Sequence, residues 1–222
     1  LIISIIIAGL VSQWIIGVYL YLGYPTVGDT TFTILPLALL IGLMSGLSGS
    51  LYGLGLKRLI QYRANLKSAT KLALFALVCG LSFSLIAFLN SDASGSGLEV
   101  MNSLLFKGQV STWELPILRT AGSLTFYASG AAGGIFAPAL ASGACLGSWV
   151  ASWFSITAPQ LLILMGMAGF LTGVTRTPFT AFVLIMEMTN HHNAIFPVML
   201  CAVTAEIAAR LVDKDSFYEW SK

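Results

Sequence analysis

Long apolar runs separated by short polar segments dominate this chain. Three runs, at residues 1–22, 34–56 and 69–89, match the roughly 20 apolar residues that a helix needs to cross a bilayer. In the second run, Gly42, Gly46 and Gly49 are spaced so that they share one helix face. Small residues on one face allow helices to pack closely in lipid. The pattern therefore predicts three spanning helices, the second of them packed tightly against its neighbours.

After residue 98 the apolar runs become shorter, and Gly or Pro separates most of them. We expect helices at residues 99–106, 115–128, 137–154, 160–174, 179–188 and 194–212. Several of these are too short for a full crossing. Helices that break inside a membrane aim free backbone groups at ions and are typical of transporter sites. They are stable only within protein or along a cavity. A bundle of ordinary kinked helices is the alternative.

The composition places the chain in a membrane. Hydrophobic residues make up 57% of the chain and charged residues 9%, whereas soluble domains carry about 25% charged residues. A net charge of +2 is too small to indicate a nucleic-acid partner. Lys and Arg concentrate within residues 57–71, which we interpret as a cytoplasmic loop by the positive-inside rule. Cys79, Cys145 and Cys201 lie far apart in apolar runs, and we expect them to be buried.

The most informative segment runs from Gly133-Gly134 through Ile135 and Phe136 to Pro138. Adjacent glycines permit backbone angles that side chains forbid, and proline suits the first turn of a helix. The first N–H groups of a helix have no partner within it and carry partial positive charge. In an apolar setting such donors form an anion site. No Lys or Arg lies near the segment, which favours transport over permanent binding because conduction requires release.

The run Ser129-Gly130-Ala131-Ala132-Gly133-Gly134-Ile135-Phe136-Ala137-Pro138 resembles the GxFxP signature of the CLC family of chloride channels and chloride/proton exchangers. Residues 176–189, which end in Glu187-Met188-Thr189, are similar to a late helix of that family. Phe217-Tyr218-Glu219 is similar to the start of its last helix, and Ser94-Gly95-Ser96-Gly97 to a glycine-rich loop. The resemblance implies an all-α integral membrane bundle of tilted, partly broken helices.

The same resemblance implies where chloride binds. Family members hold chloride by two backbone amides and two hydroxyls, and the amides map to Ile135 and Phe136 and one hydroxyl to Tyr218. Two amides and a neutral phenol can replace part of an anion's hydration shell. The implied selectivity motif comprises Gly134, Ile135, Phe136, Ala137 and Pro138.

Two family motifs are absent from the sequence, Gly-Ser-Gly-x-Pro with the second hydroxyl and Gly-x-Glu-Gly-Pro with the gating glutamate. Both belong to the first of the family's two inverted halves. The resemblance therefore implies that residues 1–222 are a fragment, the C-terminal half of a transport domain whose N-terminal half is missing. Chloride/proton antiport is the implied activity, and a passive voltage-gated-type chloride channel is the alternative.

The resemblance also implies surroundings and partners. We expect a multi-pass protein of the bacterial inner membrane, in contact with lipid, that carries chloride and protons. Residues 1–16 and 194–212 are expected to lie at a homodimer interface. A purely structural or assembly subunit would use the same two segments as packing faces, so that interpretation stays open beside transport.

An enzyme is the remaining alternative. Gly46-Leu47-Ser48-Gly49 has the Gly-x-Ser-Gly form of intramembrane serine proteases, and His191 or His192 could supply the base. A base must reach the serine hydroxyl, however, and both histidines lie in a polar break. The histidine pair also lacks further metal ligands nearby. We therefore expect no catalytic residue, no metal and no organic cofactor, with chloride as the ligand.

Two charged residues in the second half have more than one interpretation. Arg176 lies in a short turn and could bind an anion directly, although such an arginine more often satisfies helix-end carbonyls. Glu187 precedes the end of an apolar run, and our hypothesis gives it a structural role without a part in proton relay.

Overall fold

The protein is described from a computed structural model, which covers residues 2–17, 21–26, 34–154, 156, 158–189 and 194–220. Within these ranges the chain is helical and contains no strand. The helices are α1 (Ile2–Ile16), α2 (Ile34–Ala64), α3 (Ala69–Leu89), α4 (Leu98–Phe106), α5 (Glu114–Ser129), α6 (Phe136–Trp153), α7 (Gln160–Thr175), α8 (Pro178–Thr189), α9 (Ile195–Val212) and α10 (Phe217–Trp220). A 3-10 turn at Ser91–Ala93 lies between α3 and α4. The all-α expectation is confirmed.

Three helices in the described ranges are long and apolar enough to cross a membrane, namely α2, α3 and α9. The expected helix at residues 69–89 is confirmed, and those after residue 98 are confirmed to within one residue at either end. The expected first span is too long, because α1 ends at Ile16. Gly17 follows with a φ of +83°, a left-handed conformation that commonly ends helices.

The second helix continues beyond its apolar run. Lys57, Arg58 and Arg63 lie on α2, which ends at Ala64, and Lys71 lies on α3. The expected loop at residues 57–71 is therefore wrong except at residues 65–68. Lysine and arginine are good helix formers. Arg63 also lies in the last turn, where a cation interacts favourably with the helix dipole.

The core forms where α2, α6, α7 and α9 meet, and every residue of α7 from Leu161 to Thr175 is buried. Glycines make this packing possible, as the sequence predicts. A Cβ on Gly46 would lie 2.3 Å from the carbonyl oxygen of Ala205 in α9. A Cβ on Gly49 would lie 2.3 Å from the carbonyl oxygen of Phe170 in α7. The small-residue face of α2 is therefore the surface on which two helices rest.

Apolar side chains also cover much of the outside. In α3 only 6% of the membrane-length window is buried, and the side chains of α1 are exposed along the helix. A surface of this kind requires lipid or protein around it, since water would not solvate it. Cys79, Cys145 and Cys201 are buried free thiols, as expected.

Candidate functional site

The junction between α5 and α6 positions the candidate site. Helix α5 ends at Ser129, and Gly130 caps it in the left-handed conformation, with a φ of +90°. Gly133 and Gly134 do not adopt positive φ, so the pair does not use the left-handed angles that glycine permits. Limited space explains why position 133 is a glycine, because a Cβ there would lie 3.1 Å from the Phe126 ring and 3.4 Å from the Tyr127 hydroxyl.

Helix α6 begins at Phe136, with Ile135 as its N-cap residue and Pro138 in its first turn. The carbonyl of Ile135 accepts a hydrogen bond from the amide of Ala139 at 3.1 Å. Among the described residues, no carbonyl accepts from the amides of Ile135 or Phe136, and no side chain caps the helix. Two main-chain donors therefore lie at the positive end of an 18-residue helix.

Tyr218 lies in α10, in the same region as the start of α6. Its ring centroid is 6.2 Å from that of Phe136, with 42° between the ring planes. Both side chains are 39% exposed, whereas the Ile135 side chain is buried in the core. The fold thus brings Phe136 of the signature segment close to Tyr218 of the last helix, two segments on which the family resemblance rests.

A polar cluster anchors the segment that leads into α10. Lys57 in α2 is buried, and its Nζ donates to Asp213 Oδ2 at 2.8 Å and to the Asp215 carbonyl at 2.7 Å. Arg176 Nη2 donates to the Asp213 carbonyl at 2.8 Å and to Ser50 Oγ at 2.9 Å. Because Asp213 caps the C-terminus of α9, the helix-end interpretation of Arg176 is confirmed.

The carboxylate in this cluster is held in its charged form. Partial burial by itself would raise the pKa of Asp213. The hydrogen bond from Lys57, the Asp215 amide and the Arg176 charge together outweigh that effect and lower the pKa below its usual value. The Lys57–Asp213 ion pair therefore persists at neutral pH. Lys57 is a residue that sequence analysis assigned to a loop, and no local pattern links it to Asp213.

Arg119 in α5 is a second buried cation, and it positions a loop that packs against α6. The guanidinium of Arg119 in α5 is buried and donates to the carbonyls of Asp92, Ser94 and Gly95. Asp92 lies in the 3-10 turn, and Ser94 and Gly95 lie in the glycine-rich loop before α4. A Cβ on Gly97, whose φ is +84°, would lie 2.3 Å from Arg119 Nη2 and 2.3 Å from the Ala141 Cβ in α6. Arg119 thereby holds this loop against α6.

A cavity of about 480 Å³ opens beside the signature segment. Gly134, Phe136, Ala137 and Pro138 form one wall, and residues of α3, α5 and the glycine-rich loop form the others. The cavity gives the start of α6 a space in which a small ion could lie. Ile135 does not line it through its side chain.

The protease alternative has no support in the described geometry. Gly46 and Gly49 are packing positions, and Ser48 lines a separate cavity between α2, α5 and α6. His191 and His192 lie outside the described residues. In the part of the chain that the structure describes, no group of three His, Cys, Asp or Glu side chains could hold a metal ion.

Comparisons with known proteins agree with this fold. The fold is similar to a solved cyanobacterial Cl⁻/H⁺ antiporter, with a TM-score of 0.83, 21% identity, and coverage of 96% of this chain and 52% of that one. It is also similar to a solved CLC-type fluoride/proton antiporter, with a TM-score of 0.77, 24% identity, and coverage of 95% and 52%. The chain thus spans about half the length of each of these structures.

The sequence itself matches a family model. The model described as voltage gated chloride channel aligns with residues 1–210, which is most of the chain. The chain therefore belongs to the voltage-gated chloride channel (CLC) family.

Proposed function

We propose that this chain is the C-terminal half of a CLC-type transport domain that moves chloride across a membrane. The observation that carries the proposal is the pair of amides at Ile135 and Phe136, which lack carbonyl partners among the described residues. The Phe136 ring also packs near the Tyr218 ring. Family membership supports the same conclusion. The proposal includes no enzymatic chemistry, no metal and no organic cofactor.

In this proposal, chloride exchanges part of its water shell for dipoles of the protein. The Ile135 and Phe136 amides point their partial positive charge at the ion, and the Tyr218 hydroxyl donates a further hydrogen bond. In the motif around them, Gly134 and Ala137 keep the chain free of large side chains directly before and after these two residues. Dipoles bind a halide more weakly than a full cation would, so the ion can leave again.

Proton coupling is part of the proposal. Both solved structures named above are described as proton antiporters, and we infer chloride/proton antiport for this chain on that basis. A passive channel is the alternative. The remaining ligands and the coupling glutamates would come from the N-terminal half, because the chain spans about half of each solved structure.

We also propose that the protein works as a homodimer in a bacterial inner membrane. The support is apolar surface on α1 and α9, where Trp14, Phe196, Ile207 and Leu211 are exposed. Such surface can be covered by a second copy or by lipid. Light scattering on the detergent-solubilised complete protein measures the mass directly, and a monomeric mass would contradict the dimer.

Anion binding tests the site. In the complete protein, Tyr218→Phe should weaken chloride binding by about two- to tenfold in calorimetry, because one hydrogen bond to the ion is lost. Tyr62→Phe is the matched control, since Tyr62 is exposed on α2 and packs against Phe75. It should bind chloride like the wild type.

Crystals grown in bromide test the amides. An anomalous peak beside the main-chain nitrogens of Ile135 and Phe136 is the expected result. A peak found elsewhere, or a wild-type protein without saturable chloride binding, would overturn the proposed site.

A further inference from the structure

Three hydroxyl groups that the family signature does not include gather beside the signature segment. They belong to Tyr52 in α2 and to Ser123 and Tyr127 in α5. Ser123 and Tyr127 line the 480 Å³ cavity together with Phe136. The Tyr127 hydroxyl lies 3.4 Å from the position that a Cβ on Gly133 would take. It is therefore in contact with the loop that leads directly to the candidate amides.

The Tyr52 hydroxyl has an unusual environment. Tyr52 is 2% exposed, and among the described residues its hydroxyl has no hydrogen-bond partner of regular geometry. It nevertheless lies within interaction range of the Ser123 side chain and within electrostatic range of the Tyr127 and Tyr218 hydroxyls. Leaving a buried hydroxyl without a partner is unfavourable. Tyr52 lines the neighbouring cavity between α2, α5 and α6, whereas Ser123 and Tyr127 line the cavity beside the signature segment, where a polar occupant would pair with their hydroxyls.

The rings in this cluster are held by ordinary packing. Tyr127 contacts Phe126 edge-on, with the ring centroids 5.7 Å apart, and the Tyr52 ring lies 6.0 Å from that of Phe170. Phenylalanine could make both contacts equally well. Packing therefore explains the rings of these tyrosines but not their hydroxyls.

We propose that Tyr127 is an additional anion ligand, whose hydroxyl donates to the ion on the cavity side of the signature segment. Ser123 and Tyr52 are positioning residues. When the ion binds, their hydroxyls would turn to donate towards the Tyr127 oxygen, so that its own proton points to the ion and a chain of hydroxyls polarises each donor in turn. The ligand class is a small, desolvated monovalent anion such as chloride. This inference rests on the proposed function and adds to Tyr218 a second side-chain contact from this chain.

Calorimetry with chloride on the complete, folded protein tests the inference. Tyr127→Phe keeps the ring contact with Phe126 and removes only the hydroxyl, and it should raise the chloride Kd by about three- to tenfold. Tyr52→Phe and Ser123→Ala should each raise the Kd by a smaller factor, because they act through Tyr127. Tyr62→Phe, which removes an exposed hydroxyl from the same helix as Tyr52, should leave the Kd unchanged.

The outcomes separate this inference from the proposed function. If Tyr127→Phe binds chloride like the wild type while Tyr218→Phe binds it more weakly, the inference fails and the proposed function stands. If the wild type shows no saturable chloride binding, the proposed function fails and the inference fails with it. An equal loss in Tyr62→Phe and Tyr127→Phe would also overturn the inference, since the effect would not be specific to the cavity.

Discussion

The buried ammonium group of Lys57 connects α2 to the segment that leads into α10, the helix that carries Tyr218. Lys57 bonds the side chain of Asp213 and the main chain of Asp215, so it fixes the path of the chain just before α10. Arg176 adds a bond to the same region from the end of α7. The position of the Tyr218 hydroxyl therefore depends on charges that never contact an ion.

Replacing that ammonium group tests its contribution to stability. Lys57→Met should lower the free energy of unfolding by about 1 to 3 kcal/mol, because a buried charged hydrogen bond is lost and Asp213 loses its partner. Thermal unfolding in detergent is the measurement. Arg210→Met is the control, because the Arg210–Glu206 pair is exposed on α9 and exposed pairs contribute little. Equal losses in both variants would contradict a special role for Lys57.

The same pair predicts a pH dependence. The pKa of Asp213 in the folded protein lies below its usual value, so the ion pair contributes stability above the unfolded pKa. That contribution should disappear as the pH falls through the folded pKa, in the acidic range. Lys57→Met should therefore differ from the wild type at neutral pH, and the difference should shrink in acid.

At the scale of helices, close approach of backbones determines the core. Gly49→Ala would place a Cβ 2.3 Å from the Phe170 carbonyl oxygen and 3.1 Å from Gly173 Cα, so α2 and α7 would have to separate. We expect a loss of about 1 to 3 kcal/mol in thermal or denaturant unfolding. Gly80→Ala on α3 is the control, because nothing lies within 4 Å of a Cβ there. Since alanine favours helices, the control should be neutral or slightly stabilised.

The sequence predicts most helices because apolar length and Gly or Pro breaks are local signals. It misses the extension of α2 because the burial of Lys57 depends on Asp213, 156 residues later. The contact of Phe136 with Tyr218 was expected only through family resemblance. The sequence gives no sign that Tyr127 lies beside the signature segment, because within α5 it is one more aromatic residue of an apolar run. Its position beside Gly133 follows from the turn between α5 and α6, which no residue pattern specifies.

At the scale of the whole molecule, the proposed coupling of chloride to protons would belong to a longer transport domain, since the chain spans about half the length of each solved structure. Among the described residues, Glu187 is an acidic side chain that is exposed in the last turn of α8. Its exposure and its place at a helix end favour the structural role over proton relay, because a relay group needs partners along a path through the protein.

Reversal potentials of the complete, reconstituted protein under a proton gradient test the coupling. Antiport predicts that the reversal potential shifts with the pH difference, because each proton moves with a fixed number of chloride ions. A passive channel would show a reversal potential that follows chloride alone, and that result would overturn the antiport proposal. The reversal potential of the Glu187→Gln variant should shift with the pH difference as that of the wild type does. If the wild type is coupled and Glu187→Gln is not, the structural assignment of Glu187 is wrong, and the proton path must include α8.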